Sequence, residues 1–153
     1  MRGRRWLQIA NRWRWAWLAA LVVPMLIALL GRPLLAPLDG VETAEQRLQT
    51  AFETRQEGFW VEASAQVVQL LPDDREGSRH QRLIVALDSG QTLLIAHNID
   101  LAPRVPELSR GDEIRFRGEY VWNARGGVIH WTHHDPDGRY PGGWLSFQGR
   151  RYR

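Results

Sequence analysis

Glu113-Ile-Arg-Phe-Arg-Gly-Glu-Tyr-Val-Trp122 is the stretch whose reading decides the fold. Ile114, Phe116, Tyr120 and Trp122 alternate with Glu113, Arg115, Arg117 and Glu119. Successive side chains of an extended chain point to opposite faces, so this period of two predicts a strand with one apolar and one charged face. The same alternation assigns Arg115 and Arg117 to a solvated face shared with two glutamates. The aromatics beside them belong to a core rather than to a platform for single-stranded nucleic acid.

Working outward, Asn123 to Gly127 reads as a turn into Val128-Ile-His-Trp-Thr132, a β-branched and aromatic run that predicts another strand. On the N-terminal side, Leu101 to Gly111 carries two prolines and is read as a loop. Before it lie three extended runs, Phe59 to Leu71, Gln81 to Leu87 and Gln91 to Ile99, separated by Pro72-Asp-Asp74 with Gly77-Ser78 and by Asp88-Ser-Gly90. Five strands with the longest connection between the third and fourth is the order of a small OB-like Greek-key barrel. The expected fold class is therefore mainly β, with that domain over residues 58–153.

A different period precedes the strands. Thr43-Ala-Glu-Gln46 is a capping-box pattern, and Ala44, Leu48, Ala51 and Phe52 recur at helical spacing. A short amphipathic helix is expected within residues 43–57, docked on the domain by its apolar stripe. Residues 32–42, rich in proline and glycine, read as a linker.

The first 31 residues set the expected location. Trp15 to Gly31 is a run of seventeen residues without a charge, and at about 1.5 Å per residue a helix of that length just crosses a hydrocarbon core of roughly 30 Å. The run exceeds a usual signal-peptide core of about 7 to 15 residues, and no small-x-small cleavage site follows it, so an uncleaved inner-membrane anchor is favoured over a signal peptide that releases the domain to the periplasm. Residues 1–14 contain Arg2, Arg4, Arg5, Arg12 and Arg14, which place the N-terminus in the cytoplasm and the C-terminal domain outside. The partner predicted for residues 15–31 is the inner membrane.

Composition constrains the rest. The sequence pI of about 10.1 invites a nucleic-acid reading, but six of the 20 basic residues lie in the first 32 positions, where no acid occurs. The other 14 arginines face 17 acidic residues. The body of the chain thus carries no long-range field that attracts phosphate. There is no cysteine nucleophile, no Gly-x-Ser-x-Gly elbow and no phosphate-binding glycine loop.

Chemistry, where the chain has any, concentrates in His130, His133, His134, Asp135 and Asp137. On a strand, His130, Thr132 and His134 share one face and Trp131 and His133 the other. His130 and His134 then stand roughly 13 Å apart, at about 3.3 Å per residue, too far for one ion. A site forms only if the strand ends near Thr132 and the turn folds His133, His134 or Asp135 back towards His130. Imidazole and carboxylate suit a divalent transition metal, with His130, His133 and His134 as candidate ligands. The alternative is a structural role, with the histidines hydrogen-bonded at a strand end. His97 shares a face with Leu93 and Ile95 and is read as a satisfied core or rim histidine. His80 opens the second strand, so in an OB-like barrel His80, His97 and His130 can meet at one rim.

Four segments carry a family resemblance: Leu70 to Arg82, Ser89 to Pro103, Gly118 to Asn123, and Gly127 to Pro136. Together they resemble the bacterial domain-of-unknown-function family 3465, over roughly Leu48 to Tyr152. The resemblance implies a leader or anchor followed by one small β-rich domain, and implies no activity. It also implies that a histidine is usual where this chain has Tyr140. The functional expectation is an envelope protein with an OB-like binding or interaction domain. A metal-dependent hydrolase on the histidine rim is the rival, and single-stranded nucleic-acid binding is a third reading.

Overall fold

The computed structural model describes residues 41–153; the basic segment 1–14, the span 15–31 and residues 32–40 of the linker lie outside the described residues. Among the described residues no helix is long and apolar enough to cross a membrane. They form one helix, α1 (Ala44–Thr54), and seven strands: β1 (Phe59–Asp74), β2 (His80–Ala86), β3 (Thr92–Asn98), β4 (Glu113–Val121), β5 (Val128–His130), β6 (Trp144–Phe147) and β7 (Arg150–Tyr152).

Helix α1 begins where its capping box requires. The Gln46 N–H donates to Thr43 Oγ1 at 3.1 Å, and the Thr43 N–H donates to Gln46 Oε1 at 2.9 Å, satisfying two backbone donors that a helix start leaves free. It ends at Arg55, whose φ of 57° is left-handed. Leu48 and Ala51 are fully buried in the same core as the strands, so the helix belongs to the β domain rather than standing as a separate segment. The Trp122 indole N–H donates to the Phe52 carbonyl at 3.0 Å and fixes the helix against the end of β4.

Five strands close a ring of hydrogen bonds. β1 pairs with β2, β2 with β3, β3 with β5 in parallel, β5 with β4, and β4 returns to β1. The 16-residue β1 makes closure possible, because its first half pairs with β4 and its second half with β2, with a register shift between Val67 and Gln69. A bulge of this kind bends a strand and raises its twist. The apolar face predicted for β4 is correct: Ile114, Phe116 and Tyr120 are fully buried beside Leu83, Val85, Leu93, Ile95 and Ile129.

The long β3–β4 connection is anchored by a buried side chain. Gln81 donates to the Val105 carbonyl and accepts from the Val105 N–H, both at 2.9 Å, so its amide completes the backbone of a loop that has no strand partner there.

Two expectations need correction. The five expected strands are those of the ring, but the domain holds two more: Trp144–Phe147 and Arg150–Tyr152 form a hairpin that adds to β4 through Arg115, Phe116 and Arg117. Its turn, Gln148-Gly149, has φ of 48° and 76°, the doubly left-handed geometry that matches strand twist in two-residue hairpins and that glycine adopts without steric penalty. The second correction concerns the histidine strand. β5 stops at His130 instead of running to Thr132, because Trp131 is left-handed, with φ of 54°.

Candidate functional site

Period two along β2, β3 and β5 sends Gln81, Leu83, His97 and Ile129 into the core and turns His80, Ala96, Asn98 and His130 to the opposite face. His80 and Asn98 are direct cross-strand partners. The early stop of β5 then brings the following loop over this face. A cavity of about 390 Å³ results, with Ser78, His80, Asn98, His130, Trp131 and His133 in its lining. Among the described residues no Asp, Glu or Arg lines it.

The loop owes its course to contacts distant in sequence. Left-handed backbone is uncommon for a bulky aromatic and is held only where the surroundings over-determine it. Trp131 stacks against His133 at 5.4 Å and Tyr140 at 4.9 Å between ring centroids. Thr132, fully buried, meets His97 Nδ1 through its hydroxyl at 3.0 Å. Gly118 of β4 allows the crossing: a Cβ there would lie 2.3 Å from the His130 carbonyl oxygen and 2.6 Å from Ile129 Cγ2.

Protonation follows from these partners. His97 Nε2 lies 3.1 Å from the Pro103 carbonyl, which only accepts, so Nε2 carries the proton and Nδ1 accepts from the Thr132 hydroxyl. Burial pushes the His97 pKa down to about 4. His80 Nδ1 faces the Ser78 carbonyl at 2.8 Å and His133 Nδ1 the His134 carbonyl at 2.6 Å. Each of these carbonyls only accepts, so both imidazoles hold a proton on Nδ1. Burial, aided by the neighbouring His80, lowers the His130 pKa; burial also lowers that of His133 against its bond to the His134 carbonyl. Neutral imidazole dominates near pH 7 at both positions.

The sequence-predicted residues thus separate into three places. His80, His130 and His133 share the cavity, although 50 residues and more divide the first from the others in sequence. His97 sits behind it as a satisfied core histidine, as its strand face implied. His134 is exposed and lines a second cavity with Asp135, so the three candidate ligands His130, His133 and His134 do not face one point. Among the described residues no group of three or more His, Cys, Asp or Glu is arranged to hold a metal ion. Asp135 has a structural task. Its carboxylate accepts backbone N–H groups from Asp137 at 3.0 Å, Arg139 at 2.6 Å and Tyr140 at 2.8 Å. Burial pushes its pKa up, but these three donors together hold it below the usual carboxylate range.

Sequence reasoning missed the second cavity, of about 340 Å³, to which Arg117, Trp144, Arg151 and Arg153 contribute. The signal was present in the short alternating runs around Gln148-Gly149, which mark a two-residue hairpin.

A ring-bonded, mainly β domain with one capping helix and a histidine-lined cavity is the class of protein that this geometry defines. The family described as protein of unknown function DUF3465 matches residues 34–153, and the chain belongs to it. No curated protein matches the chain.

Proposed function

We propose that this is a membrane-anchored envelope protein whose domain outside the inner membrane is an OB-like Greek-key barrel that binds a neutral, hydroxyl-bearing ligand in the histidine cavity. The observation that carries the reading is the convergence of His80, Asn98, His130 and His133 on one cavity of the β2–β3 face. OB barrels bind oligonucleotides and oligosaccharides on that face. The lining selects between those two classes. It holds no cation to meet phosphates, which nucleic-acid binding requires. It offers imidazole acceptors, the Asn98 amide, the Ser78 hydroxyl and the Trp131 ring, a set suited to the hydroxyls and apolar faces of a short glycan. The anchor over residues 15–31 rests on the charge-free run and the arginines before it.

The rival, a metal-dependent hydrolase, is favoured by two imidazoles whose Nδ1 protons are fixed by backbone carbonyls, the arrangement that orients metal-ligating histidines. Among the described residues it lacks a carboxylate in the cavity lining.

The test is a titration of the full chain in detergent with short neutral oligosaccharides, followed by the imidazole NMR signals. Saturable shifts at His80 and His130, lost in His130→Ala, are expected. Shifts with single-stranded oligonucleotides instead, or stoichiometric zinc, manganese or iron lost in His130→Ala, would replace this reading by one of its rivals. Unmoved imidazole signals with every probe would remove the cavity as the site.

A further inference from the structure

The hairpin β6–β7 builds a second, chemically opposite cleft. Arg117 of β4 is the direct cross-strand partner of Trp144, and Ser146 is that of Arg151. Directly paired residues project to the same side of a sheet, and period two puts Arg153 on the side of Arg151. Arg117, Arg151 and Arg153 accordingly line one cleft of about 340 Å³, with His134 and Asp135 at its other wall.

The charges in this cleft are unbalanced. Among the described residues, neither Arg117, Arg151 nor Arg153 has a carboxylate within ion-pair distance, whereas the neighbouring Arg115 is paired with Glu62 at 3.0 Å. Asp135 is the one acid in the lining, and both its oxygens already accept backbone N–H groups. Among the described residues the three arginine side chains outnumber the one acidic side chain of the lining, and Glu62, the cross-strand partner of Arg117, is engaged by Arg115. Composition does not explain it, because the chain beyond residue 32 has fewer arginines than acids. Nor are all these cations loosely held. The Arg151 guanidinium lies 4.4 Å from the ring centroid of Trp144, which is 6% exposed, so one fork of the cleft is positioned before anything binds. Pre-positioning a donor reduces the entropy lost on binding.

From this juxtaposition we infer that the cleft between β4, β6 and β7 is a binding site for a phosphate group. A guanidinium presents a planar fork of donors that matches phosphate and carboxylate oxygens alike. A carboxylate has two oxygens and one charge, too few for three forks. A phosphate monoester has more acceptor oxygens, and at up to two negative charges it can engage more than one guanidinium. The site is independent of the histidine cavity, with which it shares no lining residue. The phosphate can belong to a soluble compound or to the headgroup of a lipid, and the two differ in what else is attached.

The full chain in detergent provides the test, with three probes titrated calorimetrically: inorganic phosphate, dihexanoyl phosphatidic acid, a lipid phosphate monoester, below its micelle concentration, and dihexanoyl phosphatidylcholine, whose phosphate is a diester. Saturable binding of phosphate or phosphatidic acid is expected, weakened at least tenfold in Arg117→Ala and Arg151→Ala. Arg117→Lys, which keeps the charge and loses the fork, is expected to fall between, with its circular dichroism spectrum unchanged. Arg125→Ala, outside the cleft, is expected to bind as wild type. Tighter binding of phosphatidic acid than of phosphate assigns the site to a lipid headgroup, and the reverse order assigns it to a soluble phosphate. No saturable binding of either anion, equal binding of phosphatidylcholine, or an equal loss in Arg125→Ala would each overturn the inference.

Discussion

His97 and Thr132, thirty-five residues apart in sequence, are joined by a buried hydrogen bond of 3.0 Å between imidazole Nδ1 and hydroxyl. That bond ties the core face of β3 to the loop after β5. It fixes the segment that carries Trp131 and His133 over the cavity, and it does so with an imidazole that stays neutral.

The first prediction is a pH dependence. Unfolded His97 takes up its proton near pH 6.5, whereas the folded protein resists until about pH 4. The unfolded state therefore binds more protons between these values, so stability falls as pH drops from 6.5 to 4 and is unaffected by this group above pH 7. The loss is about 3 kcal/mol at most, and the lowered pKa values of His130 and His133 act in the same direction. Urea denaturation at pH 7 and pH 4.5 measures it. His97→Gln is expected to be less stable than wild type at pH 7, by about 1–3 kcal/mol, and to lose less on acidification. Equal acid losses in the two proteins would exclude His97 as the source.

Gly118→Ala is expected to damage the cavity from behind. The new methyl meets the His130 carbonyl at 2.3 Å, and a backbone oxygen yields less readily than a side-chain tip. The expected cost is about 1–3 kcal/mol or more, with altered imidazole signals for His130. A thermal midpoint and His130 spectrum like those of wild type would show that β5 can shift freely.

Docking of α1 is tested by contrast within one helix. Leu48→Ala removes a side chain with no exposed surface and is expected to cost about 2–5 kcal/mol, whereas exposed Gln49→Ala should change stability by less than about 0.5 kcal/mol. Chemical denaturation of both variants decides. Similar small effects would mean that the helix contributes little to the fold.

Topology requires an experiment in cells. An alkaline phosphatase fused after Arg153 is expected to be active, because five arginines precede the charge-free run Trp15 to Gly31 and only Arg32 follows it closely. An inactive phosphatase, with an active cytoplasmic reporter at the same position, would reverse the proposed orientation. A mature N-terminus between Gly31 and Gly40 would replace the anchor by a released domain.

The helix and the first five strands were legible because their causes are local. Alternation in Ile114, Phe116 and Tyr120 follows from the geometry of any extended chain, and the Thr43–Gln46 cap from the free donors of any helix start. The core position of His97 was legible for the same reason, since it keeps step with Leu93 and Ile95. The end of β5 was not. Val128 to Thr132 has the composition of a continuous strand, and no local preference turns a tryptophan left-handed. Packing against Tyr140 and His133, the hydroxyl bond from Thr132 to His97, and the space left by Gly118 impose that turn. The sequence by itself therefore determined the helix, the five ring strands with their faces, and the location of the histidines, while β6, β7 and the end of β5 escaped it. Only the tertiary structure decided that His133 rather than His134 joins His80 and His130, and that Arg117 meets Arg151 and Arg153. Those meetings depend on strand register and on a strained turn, both set by contacts between residues far apart in the chain.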